Sequence, residues 1–221
     1  MSHSPITPIS FSAILGSSIH DVKNSLTVIS ELIQQLKQTN TKNKHILQLE
    51  FEASRMNNNL IQLLTLYKIE AENFTLDIDQ YSVSEILNDI KAQQASLFDL
   101  SDVDLQIECN EDLLCYCDFN LICNSINSIL NNAQRYSHKK IILSAGQQDG
   151  YVYFRIEDDG AGFPDNLLRT DKVNFKTGNT GLGLYFVSVI ANLHSNGNKF
   201  GYISTTNDSR LGGASFSLFL P

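Results

Sequence analysis

Clustered positive charge is scarce in this chain. Only 16 Lys and Arg stand against 24 Asp and Glu in 221 residues, a formal net charge of -8. Sequence-independent binding to nucleic acid needs a basic face, so that class of partner is set aside; a local basic site for phosphates is not. Long apolar runs are missing as well. The longest, LGLYFVSVIANL at 182–193, is too short to cross a bilayer and is interrupted by Ser188. The first ten residues are polar and proline-bearing, unlike a secretory leader, so a cytoplasmic protein with no membrane partner is expected. Cysteine is limited to Cys109, Cys115, Cys117 and Cys123. Cys115 and Cys117 lack the two-residue gap of a zinc knuckle, which leaves buried or half-buried thiols in a reducing compartment as the reading. Low-complexity tracts and internal repeats are absent. With 42% hydrophobic and 18% charged residues, the chain should fold into one large domain, or a small one joined to a medium one.

The two parts of the chain follow different periods. From about Ser10 to Tyr67 the pattern predicts two long helices. Leu15, Ile19, Val22, Leu26, Ile29, Ile33 and Leu36 alternate steps of four and three, which is a heptad seam. Ile46, Leu49, Ala53, Met56, Leu60, Leu63 and Tyr67 continue it after the polar turn at 39–43. Ile14, Leu32, Ile61 and Leu64 widen the apolar stripe. Two such helices cannot enclose a core alone, so a homodimer closing a four-helix bundle is expected. After Ala71 the pattern changes. Helices are predicted over Ser82–Leu97 (with Ser82 and Glu85 as a capping box), Asn120–Tyr136 and Gly181–Leu193. Strands are predicted over Val103–Glu108, Leu113–Cys117, Lys140–Ser144, Tyr151–Glu157, Phe200–Thr205 and Ala214–Leu220. Asp149-Gly150 marks a hairpin turn. The fold class is therefore α+β: a helical hairpin at 1–72, then at 73–221 a layer of helices on a largely antiparallel sheet.

Three clusters in the second part carry chemistry. Asn132-Ala133-Gln134-Arg135-Tyr136 lies on a helix, Asp158-Asp159-Gly160-Ala161-Gly162 follows a strand, and Gly178-Asn179-Thr180-Gly181-Leu182-Gly183-Leu184 leads into a helix. Glycines at a helix start let the backbone approach a phosphate, where free N–H groups and the helix dipole favour an anion; Gly181 and Gly183 fit that role. A carboxamide such as that of Asn132 offers a hard oxygen to Mg²⁺. Asp158, at a strand end, can accept a hydrogen bond from an adenine amino group, with Gly160 and Gly162 allowing a sharp turn against the base. Each cluster alone is weak, but their order, spacing and settings agree.

Together the clusters resemble the N, G1 and G2 boxes of the ATP-binding superfamily shared by histidine kinases, DNA gyrase, heat-shock chaperone ATPases and mismatch-repair ATPases. The resemblance implies a two-layer α/β sandwich and ATP with Mg²⁺ as ligands. Asn132 corresponds to the Mg²⁺-binding Asn, Asp158 to the adenine-binding Asp, and Gly160, Gly162, Gly181 and Gly183 to the glycines of the two boxes. Phe175-Lys176 stands where the family carries an aromatic residue in a lid over ATP. Arg135 is a further phosphate candidate, weighed evenly against a surface ion pair. Two positions depart from the family: Ser128 replaces an Asn or a catalytic Glu, and Asn179 replaces the first glycine of the second box. Serine is a poor general base for water, which disfavours autonomous ATP hydrolysis.

The first helix supplies an acceptor. His20 follows Ile19, off the heptad seam, in a position open to solvent. The run Ser18-Ile19-His20-Asp21-Val22-Lys23-Asn24-Ser25-Leu26 resembles the histidine-kinase H box, with Ser25 where many members carry a proline. Asp21 would polarise one imidazole nitrogen and leave the other as nucleophile, and Asn24 stands one turn away. Asp21 and Asn24 also match the family's element for dephosphorylating a partner, so phosphatase activity is a secondary expectation. The remaining His3, His45, His138 and His194 read as disordered, surface or structural residues. The expected function is that of a two-component histidine kinase. His20 is phosphorylated from ATP, and the phosphoryl group then passes to an Asp of a response-regulator receiver domain. The alternative is a histidine phosphotransfer protein whose nucleotide domain is degenerate. Only about ten residues precede the first helix, so either the chain is trimmed or its input comes from a separate soluble sensor protein.

Overall fold

A computed structural model describes residues 22–24, 26–36, 44–98, 103–164 and 182–221. The chain divides into two compact units, Met1–Phe74 and Thr75–Pro221.

In the first unit, helix α1 takes in residues 22–24 and 26–36, and α2 is Lys44–Glu70. The heptad seam divides into two rows. Leu26, Ile33 and Ala53 are buried, each at 5% exposure or less, whereas Val22, Ile29 and Leu36 on α1 and Leu49, Met56 and Leu63 on α2 are exposed. Both exposed rows repeat every seven residues, so each runs as one stripe along its helix. The start of the first predicted helix, with His20 and Asp21, lies outside the described residues, as does the turn at 39–43. Helix α2 ends in a Schellman motif. The Asn73 N–H donates to the Lys68 carbonyl at 3.1 Å, the Glu72 N–H to that of Ile69 at 3.1 Å, and Glu72 sits at φ 54°. That left-handed position usually falls to glycine.

The second unit begins with strand β1 (Asp79–Ser82) and helix α3 (Val83–Phe98). Ser82 ends the strand, and its Oγ pairs with Ser84 Oγ at 2.8 Å rather than forming the expected capping box with Glu85. Strands β2 (Asp104–Glu108) and β3 (Leu114–Cys117) follow, then α4 (Phe119–Tyr136), β4 (Lys140–Gln148), β5 (Tyr151–Asp158), α5 (Leu182–Leu193), the short β6 (Ser195–Asn196) and β7 (Lys199–Phe200), β8 (Tyr202–Thr206) and β9 (Ser215–Leu220). The main sheet has the order β2-β4-β5-β9-β8. Its pairs are antiparallel except β2 with β4, which run parallel because α4 carries the chain across between them. Strands β1 and β3 form a separate antiparallel ribbon. Asp149 (φ 52°) and Gly150 (φ 77°) close the β4–β5 hairpin, the positive pair that a two-residue turn requires.

Helices α3, α4 and α5 form one layer against the sheet, giving the expected α+β class. Ile86, Leu87 and Ile90 of α3, Ile122, Ile126 and Leu130 of α4, and Phe186, Val187 and Ile190 of α5 are all within 2% of full burial, as are Leu143, Phe154 and Leu218 from the sheet. Each such side chain contributes about 1.5–3 kcal/mol of transfer free energy. Asp118 caps α4: its Oδ1 accepts the Leu121 N–H at 3.1 Å and its Oδ2 the Asp77 N–H at 3.2 Å. His194, just past α5, is 2% exposed; its Nε2 accepts the Asp118 N–H at 3.1 Å while its Nδ1 lies 2.7 Å from the Ile190 carbonyl. That assigns the proton to Nδ1 and joins the end of α5 to the start of α4. Between α3 and α4, Gln94 Nε2 donates to Asn127 Oδ1 at 2.8 Å, and Asn127 Nδ2 donates to Gln93 Oε1 at 2.6 Å. Cys115, Cys117 and Cys123 are buried free thiols and Cys109 is half-buried.

Candidate functional site

Alternation along β5 sets the site. Val152, Phe154, Ile156 and Asp158 are buried, while Tyr151, Tyr153 and Arg155 look the other way in partial exposure, with Glu157 on that side. Asp158, 6% exposed, therefore reaches the layer of helices at the strand's end. Its Oδ1 accepts two backbone N–H groups, from Gly160 at 2.9 Å and Ala214 at 3.1 Å. Its carbonyl oxygen accepts Ser209 Oγ at 2.9 Å and the Gly213 N–H at 3.1 Å. Among the described residues both bonds to the carboxylate end on Oδ1, and Oδ2 is the oxygen left for a further donor.

The glycines are where the chain cannot accept a side chain. A Cβ on Gly160 would stand 2.3 Å from the Tyr136 carbonyl oxygen, so the turn after β5 lies directly on the last residue of α4. Asp159 fastens the same junction, accepting the N–H groups of His138 at 2.8 Å and Lys139 at 3.0 Å. Burial works to raise the Asp159 pKa, but these backbone donors outweigh it and hold it below the ordinary value. Gly162 has φ +83°, and a Cβ there would meet Asn207 Oδ1 at 2.8 Å. Gly183, in the first turn of α5, would place a Cβ 2.9 Å from Ser128 Oγ and 3.7 Å from Asn132 Nδ2. The opening of α5 thus lies against the turn of α4 that carries Ser128 and Asn132.

Of the residues singled out from sequence, Asp158 and Gly160 meet at one turn, Gly162 follows it, and Gly183 meets Asn132. Asn132 is exposed, and its carboxamide makes no hydrogen bond among the described residues, so its oxygen is open to a hard cation. Arg135 is exposed on α4 and lies over the ring of its neighbour Tyr136, 5.6 Å from the centroid. Asn24 is exposed on α1, in the other unit. His20, Asp21, Gly181, Asn179 and Phe175-Lys176 lie outside the described residues. Sequence reasoning missed the loop between β8 and β9. There Asn207 Oδ1 accepts the Phe163 N–H at 2.6 Å and its Nδ2 donates to the Phe163 carbonyl at 2.9 Å, while Ser209, Gly213 and Ala214 hold Asp158. The sequence offers one pattern there, Gly212-Gly213, which reads as a turn; that a Cβ on Gly213 would stand 2.5 Å from Asp158 Oδ1 is a fact of the fold.

Residues 117–221 match the family described as histidine kinase-, DNA gyrase B- and HSP90-like ATPase. The sensor histidine kinase YkoH of Bacillus subtilis is 31% identical over 197 residues, covering 79% of this chain and 41% of YkoH. Among solved structures, the Acinetobacter baumannii histidine kinase AdeS superposes with a TM-score of 0.62 at 20% identity, covering 91% of this chain and 96% of that one. Full-length ShkA, solved in complex with AMPPNP, gives a TM-score of 0.68 at 16% identity over 96% of this chain and 46% of ShkA. These two show the shared fold. The chain spans less than half the length of the curated relatives it matches. No helix among the described residues is long and apolar enough to cross a membrane. The family match over residues 117–221 takes in Asp158, Gly160, Asn132 and Gly183, set around one face of α4, and with the similarity to YkoH it supports an ATP-binding domain of the histidine-kinase type in this part of the chain.

Proposed function

We propose that the chain is a two-component histidine protein kinase that transfers the γ-phosphoryl group of ATP to His20 and then to an aspartate of a response-regulator receiver domain. The observation that carries the reading is the state of Asp158, with Oδ1 held by two backbone N–H groups and Oδ2 left to meet the amino group of an adenine. Gly160 and Gly162 turn the chain away to make room for the base. Gly183 and, by the family resemblance, Gly181 bring backbone N–H groups at the start of α5 to the phosphates. Asn132 fits Mg²⁺ as a neutral oxygen ligand, and Mg²⁺ there would neutralise charge on the phosphate oxygens.

In this reading the His20 imidazole attacks the γ-phosphorus as the bond to the β-bridging oxygen breaks, leaving ADP and a phosphoimidazole. Asp21 holds the other ring nitrogen. Ser128 stands beside Gly183, where a stronger base would activate water, so the phosphoryl group is kept for the imidazole. Asn24, four residues after His20 in sequence, would orient water in a secondary phosphatase step toward the regulator. The exposed row Val22, Ile29, Leu36 with Leu49, Met56 and Leu63 supports a homodimer closing a four-helix bundle, with residues 1–72 as the dimerisation and phosphoacceptor domain and 73–221 as the ATP-binding domain. Input through a separate sensor protein goes with this reading.

Labelling tests it. Purified protein incubated with γ-labelled ATP and Mg²⁺ should gain acid-labile, base-stable label that His20→Ala abolishes. Folded protein that stays unlabelled would instead be the phosphotransfer protein, and free phosphate without labelled protein would be a plain ATPase.

A further inference from the structure

The β8–β9 loop does more than connect two strands, because it holds the end of β5 on both faces of the sheet. At the strand end, Ser209 Oγ and the Gly213 N–H bind the Asp158 carbonyl, and on the helix side the Ala214 N–H binds Asp158 Oδ1. On the opposite side stands Glu157, 2% exposed, a carboxylate that water cannot solvate. The Arg210 backbone N–H reaches Glu157 Oε1 at 3.0 Å, and its guanidinium reaches Oε2 through Nε and NH2, both at 2.6 Å. The third arm, NH1, is fixed 2.9 Å from Glu108 Oε2 at the end of β2. Burial by itself would raise the Glu157 pKa; the Arg210 donors overcome that and keep the carboxylate ionised.

Glu157 and Asp158 are neighbours on one strand, so whatever fixes the first limits the second. Arg210 follows Ser209 and precedes Gly213, between loop residues that grip Asp158, and Gly212 at φ +87° lets the loop turn from one face to the other. No backbone has slack in this arrangement: a Cβ on Gly213 would come within 2.5 Å of Asp158 O, Asp158 Oδ1 and Gly160 N.

We propose that Arg210, by clamping Glu157, is a positioning residue that aims Asp158 Oδ2 at the purine edge and so sets the preference for adenine over guanine nucleotides. The inference rests on the ATP-binding reading above. An adenine presents an amino donor to Oδ2, whereas a guanine presents a carbonyl oxygen at the same place, and two acceptors repel. The discrimination holds only while the carboxylate cannot swing. Releasing the loop lets Asp158 turn, which weakens ATP more than GTP.

The test is equilibrium binding of ATP and GTP with Mg²⁺ to the full chain, its Arg210→Gln and Arg210→Lys variants, and the double variant Glu157→Gln/Arg210→Gln, each shown folded by circular dichroism. The double variant removes the uncompensated buried carboxylate and stays available if Arg210→Gln alone fails to fold. Loss of one well-aimed hydrogen bond predicts ATP binding weaker by about threefold to tenfold in the Gln variants, with GTP little changed and partial recovery in Arg210→Lys. Equal weakening of ATP and GTP would mean a general softening of the domain and would overturn the clamp. So would unchanged ATP affinity in the Gln variants. If the parent protein binds neither nucleotide, the ATP-binding reading itself is wrong, and that outcome is recognisable before any variant is compared.

Discussion

Replacing Gly160 by alanine puts the assembly of the site to a direct test. The added methyl group would sit 2.3 Å from the Tyr136 carbonyl oxygen, 2.9 Å from its carbon and 3.1 Å from Asp158 Oδ1. Backbone, not a flexible side-chain tip, is what it meets. Neither partner has room to retreat: Ser137 is held by the Ala133 carbonyl at 2.8 Å, and Asp159 by the His138 and Lys139 N–H groups. Overpacking of this kind costs about 1–3 kcal/mol, and a rigid neighbour places Gly160→Ala near the upper end. For a domain of this size the melting temperature should fall by roughly 6–12 °C. Because Gly160 also donates to Asp158 Oδ1, ATP affinity should drop with it. Gly197→Ala is the control. A Cβ there meets nothing within 4 Å, although φ is +60°. It should cost only about 1–2 kcal/mol of left-handed strain and leave nucleotide binding unchanged. Thermal melts and titrations of both variants decide the matter. A Gly160→Ala protein that melts with the parent and binds ATP as well would refute the close contact between the β5 turn and α4.

Four further outcomes follow from other contacts. Burial lowers the His194 pKa below its ordinary 6.5, against weaker opposing effects from the Ile190 carbonyl and Asp118. As pH falls through 6.5 the unfolded chain takes up a proton that the folded one resists, so stability present above that pH is lost below it. His194→Gln should flatten this part of the stability profile in urea melts. Glu72→Gly should raise stability by about 1 kcal/mol, measured by thermal melting, because it relieves the left-handed cap of α2 without touching the second unit. Thiol labelling should be graded: half-buried Cys109 reacts first, while Cys123, pushed up to about 12 chiefly by burial, and Cys117, raised chiefly by its bond with Cys115, should react only after denaturation. Light scattering should show Ile29→Glu or Met56→Glu turning a dimer into a monomer, since both lie in the exposed heptad rows; a dimer surviving both would place the interface elsewhere.

What the sequence made legible was whatever depends on period or on a single residue's chemistry. The step-of-seven rows on α1 and α2, the apolar face of α4 and the Asp149-Gly150 turn are local patterns, and α2, α4 and the turn formed near their expected bounds. Asp158 and Gly160 could be singled out because an acid at a strand end followed by glycines is a local pattern too. Pairings over distance were not legible. Nothing in Asp104–Glu108 says that it will lie parallel to β4, and the two-residue β6 and β7 are too short to carry an alternation. The capping box at Ser82 failed for a tertiary reason: pairing with Leu114 draws Ser82 into β1.

The β8–β9 loop shows the limit most plainly. Its polar residues read as ordinary turn formers, yet Ser209, Gly213 and Ala214 hold Asp158 from more than fifty positions away, and Arg210 neutralises the buried Glu157 beside it. A carboxylate that must present one oxygen needs its other oxygen taken by donors that do not move. Backbone N–H groups serve best, and they leave no mark in the sequence beyond the absence of side chains that would obstruct them. That makes Gly213 as much a part of the site as Asp158: its missing Cβ is what lets the two segments meet, since a Cβ there would stand 2.5 Å from Asp158 O and Oδ1. Gly213→Ala should therefore disturb ATP binding as severely as Gly160→Ala. Isothermal titration of the two variants side by side gives the check, and normal affinity in Gly213→Ala would mean that the loop merely adjoins Asp158 without setting it.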